Sequence, residues 1–423
     1  MKKKTDQTWS MWAEWVVPGE GPPIRGGVLQ GTAAVIEYVG PAGSAPPAPL
    51  SGRRRLADTA ILPGLVNAHT HLELTCLRGQ LPRERPMNQW VFALLGRRPK
   101  GRKQDKSVAD GAQQCLAFGT TTVADISYNN RAWKVLKASP LRKVCFAEVT
   151  GIGPEERKAI PRLKAALRGA RGDARLRFGL SPHAPYSTAE DVYRKVIALA
   201  RRKHWPVTTH LAESEAERQF LLRGSGKFFD LLAALGLIDL SVAVHGCTPM
   251  AYAQRTGLLD EGALLAHVNA LDDDEFRLLA ASPASVALCP RSNDFFGRSG
   301  HRYAEMLAAG VNVALGTDSL ASNDSLDMLE EMRTLRLDGK VSNADILRMA
   351  TLNGARALRM DDKIGSLAPG KQADWVAVRL GGPTPEPMET ILTTPARVLE
   401  TTIAGTTVYQ ADETAPDDQA ADR

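Results

Sequence analysis

Pro63-Gly64-Leu65-Val66-Asn67-Ala68-His69-Thr70-His71 sets a short apolar run directly before two histidines one residue apart. Alternate residues of a strand point the same way, so His69 and His71 can hold one ion together if a strand ends here. Similar β-branched or apolar runs follow at 120–124, 144–147, 176–180, 206–209, 264–266, 286–289 and 311–315. With 61–65 as the first, they make eight. Stretches rich in Ala, Leu, Arg and Glu, such as 189–203 and 215–222, separate most of them and carry helical composition. Eight strands alternating with helices over about 300 residues predict an α/β fold, a (β/α)8 TIM barrel, over an open doubly wound sheet. The Gly-rich dinucleotide fingerprint is absent, although not every open sheet has one.

Outside this run the texture changes. Residues 1–62 read as short strands separated by Gly and Pro, and a similar β-rich texture returns from 364 to 410. Each end is too small to form a core alone, which predicts that the two complete one another beside a central domain spanning 63–363. Residues 411–423 hold five acids, one base and few apolar side chains, and are expected to form a disordered tail.

The chain has 423 residues, 43% hydrophobic and 24% charged, an ordinary composition for a globular protein with a large core. Disordered, collagen-like and coiled-coil classes are excluded. Net charge is +6, but its placement is uneven. From Arg78 to Lys106 nine basic residues face two acids, so this segment carries +7 and the remainder −1. A local patch without zinc-knuckle or RNP-like motifs argues against nucleic acid as a partner. Five cysteines with no CxxC pair fit reduced, mostly buried thiols. The basic N-terminus lacks the apolar run of a signal peptide, and no 18-residue apolar stretch exists. A cytoplasmic protein with no membrane contact is expected.

In a TIM barrel the site forms where strands end. Here those positions carry His69 and His71, His210 and Glu213 (Thr209-His210-Leu211-Ala212-Glu213), His267, and Asp318 (Gly316-Thr317-Asp318). A single histidine at a strand end is more often structural than a ligand, and His204, His245 and His301 are assigned to that class. Joint placement on one face is what carries the metal reading. Three imidazoles and a carboxylate suit one divalent ion, Zn²⁺ first and Fe²⁺ as competitor. A second ion would need a bridging ligand such as a modified lysine, and His183 stands at that strand end instead. The bound ion would lower the pKa of water from about 15.7 to roughly 7–9. Glu213 lies beyond the strand and is read as a proton shuttle, its bland alternative being a first-turn helix acid.

These motifs resemble the amidohydrolase superfamily, cytosine/adenosine-deaminase-like branch. Segment 63–71 is similar to its first-strand signature, 209–213 and 315–319 to its fifth- and eighth-strand motifs, and 365–374 to its return into a small β-sandwich. The likeness spans about residue 24 to 410. It implies a β-sandwich built from both chain ends. It further implies His69, His71, His210 and Asp318 as metal ligands, Glu213 as proton shuttle, and catalytic roles for His267 and Asp318 in holding the nucleophile. Ser181-Pro182-His183-Ala184-Pro185-Tyr186-Ser187 resembles the segment of adenosine-type deaminases in which the histidine contacts substrate. Cys289-Pro290-Arg291-Ser292-Asn293, His69 to Leu74 and Gly316 to Asn323 look most like aminofutalosine deaminases of menaquinone biosynthesis.

The resemblance therefore implies release of ammonia from C6 of an adenine nucleoside. Other members of the branch remain alternatives: adenosylhomocysteine, methylthioadenosine, adenosine or guanine deaminases, an s-triazine hydrolase, or a non-catalytic binding relative. A nucleic-acid-editing deaminase is excluded, because the Pro-Cys-x-x-Cys run of those enzymes is missing. Where related deaminases place an acid before a tryptophan to hold ribose, Asn88 and Gln89 precede Trp90. Glu73 is the substitute candidate. Arg78, Arg83, Arg85 or Arg291 are candidates for pairing with the carboxylate of aminofutalosine. A homodimer is the assembly considered.

Overall fold

The β-rich chain ends lack cores of their own, and a computed structural model describing residues 8–49, 52–238, 242 and 245–412 places them together. Near the N-terminus lie β1 (Thr8–Val16), β2 (Ile24–Arg25), β3 (Gly27–Thr32), β4 (Val35–Pro41) and β5 (Arg53–Pro63). The central strands are β6 (Leu65–Thr70), β7 (Thr120–Ser127), β8 (Arg142–Val149) and β9 (Leu176–Pro182), then β10 (Thr208–Leu211), β11 (Leu264–His267), β12 (Ser285–Leu288) and β13 (Asn312–Leu315). The chain returns through β14 (Trp375–Arg379), β15 (Val398–Ile403) and β16 (Thr406–Gln410).

Both ends share one sheet, ordered β16-β15-β14-β5-β1-β3-β4 with β2 on β1. The join is the antiparallel pairing of β5 with β14, from Trp375 opposite Pro63 to Arg379 opposite Thr59. The expected completion of one end by the other is therefore present, as one eight-stranded sheet where a two-layered sandwich was expected. One face of this sheet encloses Met11, Leu29, Ile36, Ile61 and Trp375. Trp15, Ala60, Leu62, Val376 and Val378 instead join the large core beneath the central strands. A sheet buried on both sides needs no second layer of its own.

The eight central strands form two four-stranded parallel sheets, β6-β7-β8-β9 and β10-β11-β12-β13. Parallel bridges Leu180–Val207 and Thr70–Asp318 connect their edges. Every residue of β6, β7 and β8 is buried, which is why these runs read as continuously apolar or β-branched instead of alternating. The first strand departs from the expected 61–65. Ile61 and Leu62 belong to β5, and the central strand begins at Leu65. Gly64 makes the break: a Cβ there would lie 2.3 Å from Thr121 Oγ1. The boundary expected between 62 and 63 therefore falls at Gly64.

Helices Glu190–Lys203 and Glu215–Arg223 match the helical stretches read from sequence. All five cysteines are free, with Cys115, Cys145 and Cys289 buried. Ala411 N–H donates to Leu399, so the predicted tail is placed at its first residue, and 413–423 lie outside the described residues, as does the N-terminal basic cluster. Among the described residues no helix is long and apolar enough to cross a membrane.

Candidate active site

Strand ends bring the predicted ligands together. His69 lies in β6 with His71 just beyond it, His210 in β10, and Asp318 follows β13. One ring nitrogen from each of His69, His71 and His210 lies within 4.8 Å of the others. His71 Nε2 and His210 Nε2 are 3.3 Å apart, and Asp318 Oδ1 is 3.8 Å from Nε2 of both His69 and His71. Two Zn–N bonds of 2.0–2.1 Å at a tetrahedral angle would separate their nitrogens by roughly 3.3 Å.

The surrounding hydrogen bonds fix which atoms face inward. His210 Nδ1 donates to the His183 carbonyl at 2.9 Å, leaving Nε2 with its lone pair toward the cluster. Ser292 and Ser322 hydroxyls both donate to Asp318 Oδ2 at 2.8 Å, turning Oδ1 toward the histidines. Both ring nitrogens of His69, and Nδ1 of His71, are enclosed without a hydrogen-bond partner. Leaving such groups unpaired costs about 1–3 kcal/mol each, and a cation bound through one nitrogen of each ring would relieve part of that deficit, at His69 Nε2 above all. Burial holds His69 and His71 well below the ordinary histidine range, so they are neutral and able to ligate. The donor set fits a divalent metal ion.

Backbone strain concentrates at the same strand ends. Ala212, His267, Val268 and Asp318 all have positive φ, at 49°, 73°, 53° and 55°. Non-glycine residues adopt that region rarely, and when they do it is often at functional sites. Behind Ala212 and Glu213, the Glu217 carboxylate accepts both of their N–H groups at 3.0 and 2.9 Å. Burial pushes Glu217 up to about 8.

Glu213 is buried, with Oε1 3.9 Å from His267 Nε2. Arg298 donates to the same oxygen from both terminal nitrogens, at 3.2 and 3.3 Å. Burial pushes His267 down to about 3, so its ring is neutral. His301, assigned a structural role, donates from Nε2 to the His267 carbonyl at 2.8 Å and so braces that strained turn. His204 caps a helix and is exposed, while His245 sits 3.6 Å from Glu190, consistent with their bland assignment. Arg298 escaped sequence reading because it lies in a loop with no periodicity and no motif.

The cluster floors a cavity of about 280 Å³. His183, Glu213, His267 and Asp318 line its polar end, and Trp90, Leu94, Leu95, Leu231, Leu235 and Phe296 contribute an apolar wall. His183 and Trp90 are therefore placed as expected; His183 Nδ1 bonds Ser187 Oγ at 2.6 Å, and Trp90 Nε1 donates to Ala321 O.

The other substrate candidates are not among the lining residues. Glu73 is buried in a network with Arg98, Gln104, Ser127 and the Tyr128 N–H. Arg291 donates to Asn323 and Glu330, Arg78 to Gln114, and Arg83 to Asp324, while Arg85 is exposed. The basic segment does border the cavity, but through Arg98, which was counted within the run and not singled out.

A model of the Amidohydrolase family matches residues 60–408. A 5-methylthioadenosine/S-adenosylhomocysteine deaminase from Moorella thermoacetica is 34% identical over 395 residues, covering 87% of this chain and 85% of that protein. Among solved structures, a zinc-bound adenosine deaminase from Xanthomonas campestris superposes with a TM-score of 0.82 at 28% identity, covering 98% of this chain and 95% of that one. Helicobacter pylori aminofutalosine deaminase, in complex with methylthio-coformycin, gives a TM-score of 0.83 at 21% identity and covers 95% of this chain and 100% of its own. That last likeness speaks to the fold alone.

Proposed function

The chain belongs to the amidohydrolase family, in its deaminase-like branch, and from that membership we propose that it deaminates adenine nucleosides with an apolar 5′ substituent, of the methylthioadenosine kind. It is a hydrolase acting on carbon–nitrogen bonds of cyclic amidines, and an adenine nucleoside deaminase is the reading its relatives support. We read the eight central strands as a closed (β/α)8 barrel, supported by the bridges along both sheet edges.

His69, His71, His210 and Asp318 would hold one divalent ion, for which zinc is our assignment. Once bound, it supplies the Lewis acidity that brings a water close to neutral pKa. The chain's own residues do the rest. Glu213 accepts one proton of the attacking water and delivers it to ring N1, then takes the proton of the new C6 hydroxyl and passes it to the amine, which leaves as ammonia. Arg298 fixes the rotamer of Glu213 during that exchange. His267, neutral and braced by His301, orients the nucleophile beside Glu213. His183 faces the purine.

The preference for an apolar 5′ group over aminofutalosine rests on one observation. Of the described residues lining the cavity, the arginines Arg98 and Arg162 pair with Glu73 and Glu155, at 3.2 and 2.6 Å. Arg298 is engaged by Glu213. Each of these cations already faces a carboxylate, whereas the leucine wall suits a thioether. Ammonia release from methylthioadenosine, adenosylhomocysteine, adenosine and aminofutalosine tests this. We expect kcat/KM for methylthioadenosine to exceed that for aminofutalosine by about tenfold or more, the scale of one desolvated charge without a partner. The reverse order would overturn the substrate assignment.

A further inference from the structure

Glu148 ends β8, on the rim where the other strands deliver their chemistry, yet no step above uses it. It is 5% exposed and lines the cavity. Its Oε2 is enclosed without a hydrogen-bond partner, although its backbone carbonyl is held by Asn130 Nδ2 at 3.2 Å.

The other carboxylates of the described cavity lining are engaged. Glu155 pairs with Lys158 and Arg162, Glu213 with Arg298, and Asp318 with Ser292, Ser322 and the histidines. Burial pushes the Glu148 carboxyl up, and the Arg98 charge works against that rise.

A carboxylate oxygen accepts hydrogen bonds, so a donor carried by the ligand would complete Oε2. A nucleoside offers two kinds: the exocyclic amine and the ribose hydroxyls. The amine belongs at the pole of His69, His71, His210 and Glu213, because C6 reacts there. Two adjacent hydroxyls remain, and one carboxylate can accept from both, as acidic residues do in other nucleotide sites. In the segment leading to Trp90, Asn88 and Gln89 offer no competing acid.

We propose that Glu148 is the ribose-recognising carboxylate of this site, accepting hydrogen bonds from the 2′- and 3′-hydroxyls of the bound nucleoside. The proposal rests on the adenine-nucleoside reading, and its test separates the two.

The metal-loaded enzyme is assayed with adenosine, 2′-deoxyadenosine and 3′-deoxyadenosine, and with methylthioadenosine and adenosylhomocysteine as controls, as wild type, Glu148→Gln and Glu148→Ala. Wild type should prefer adenosine over each deoxy substrate by about 10- to 100-fold in kcat/KM, the scale of a hydrogen bond to a charged group. In Glu148→Ala adenosine should fall toward the deoxy substrates, closing the ratio to within about threefold, while they change little. Glu148→Gln, which keeps the side-chain volume, should fall between. Wild type that does not discriminate ribose from deoxyribose overturns the proposal, whatever the variants do. So does a loss of equal size on all three substrates. A Glu148→Ala defect confined to adenosylhomocysteine, with methylthioadenosine unaffected, would instead assign Glu148 to the amino group of that tail. If wild type releases ammonia from none of the three and not from methylthioadenosine either, the nucleoside reading itself fails and carries this proposal with it.

Discussion

At the scale of single residues the decisive contact is Glu213 with Arg298. The carboxylate proposed to shuttle protons is held by two guanidinium nitrogens and lies beside a neutral His267. Glu213→Gln preserves shape and leaves the histidine cluster intact, so metal content should stay at one ion per chain. Turnover should fall by about 10²–10⁴-fold, the usual contribution of a positioned acid–base group. Metal analysis and ammonia release on the same preparation check both halves. Residual turnover near wild type would remove Glu213 from its role.

The clustered histidines and Asp318 were legible because each stands at the end of a run of buried strand residues, and a strand end has a sequence signature. Arg298 has none. The Arg78, Arg291 and Glu73 assignments failed to reach the cavity for a related reason: net charge in a segment says nothing about which charges the fold pairs internally. Glu73, for instance, is consumed by Arg98 from a helix end that composition alone could not bring near it.

Among elements, the turn after β10 depends on the helix that follows. Glu217, in helix Glu215–Arg223, takes both N–H groups of the strained Ala212–Glu213 turn. Glu217→Ala would leave two buried donors unpaired. We expect a stability loss of about 2–4 kcal/mol in urea denaturation and a fall in kcat, since Glu213 loses its backbone anchor. A variant as stable and as active as wild type would show that the turn holds itself.

Strand existence was readable at this scale, and strand limits less so. The run 61–65 straddles two strands because β5 and β6 are both buried and both apolar. Only the close approach of Thr121 to Gly64 divides them, and that is a tertiary contact. The single sheet in place of a sandwich has the same origin: both of its faces find partners elsewhere in the chain.

For the whole molecule, buried acids give stability a pH dependence of definite sign. Glu331 accepts from the Arg291 N–H at 3.0 Å and from Asn323 Nδ2 at 2.7 Å, tying helix Met328–Asp338 to the short helix Pro290–Phe295 after β12 and to the loop beyond β13. Burial pushes its carboxyl from 4.5 up to about 8. The folded state thus holds this proton more tightly than the unfolded chain. Its contribution is complete below pH 4.5 and is lost as pH rises through about 8. Relative to Glu331→Gln, wild type should therefore lose Tm between about pH 4.5 and 8 and change little beyond that. Parallel melting curves that keep a constant offset would refute this.

The pairing of β5 with β14 also sets a timetable. Strands from opposite ends of the chain share the ladder that carries β1 and β3, and β5 runs almost directly into the strand bearing His69. At about 5–20 residues per second, roughly 15–60 s of translation separate the emergence of those partners from the ribosome. Through that interval the nascent N-terminal strands present an open hydrogen-bonding edge, and two histidines wait for Asp318. The sheet and the cluster are thus both completed by segments made long after their first members, and until those segments emerge the N-terminal strands stay open to mispairing.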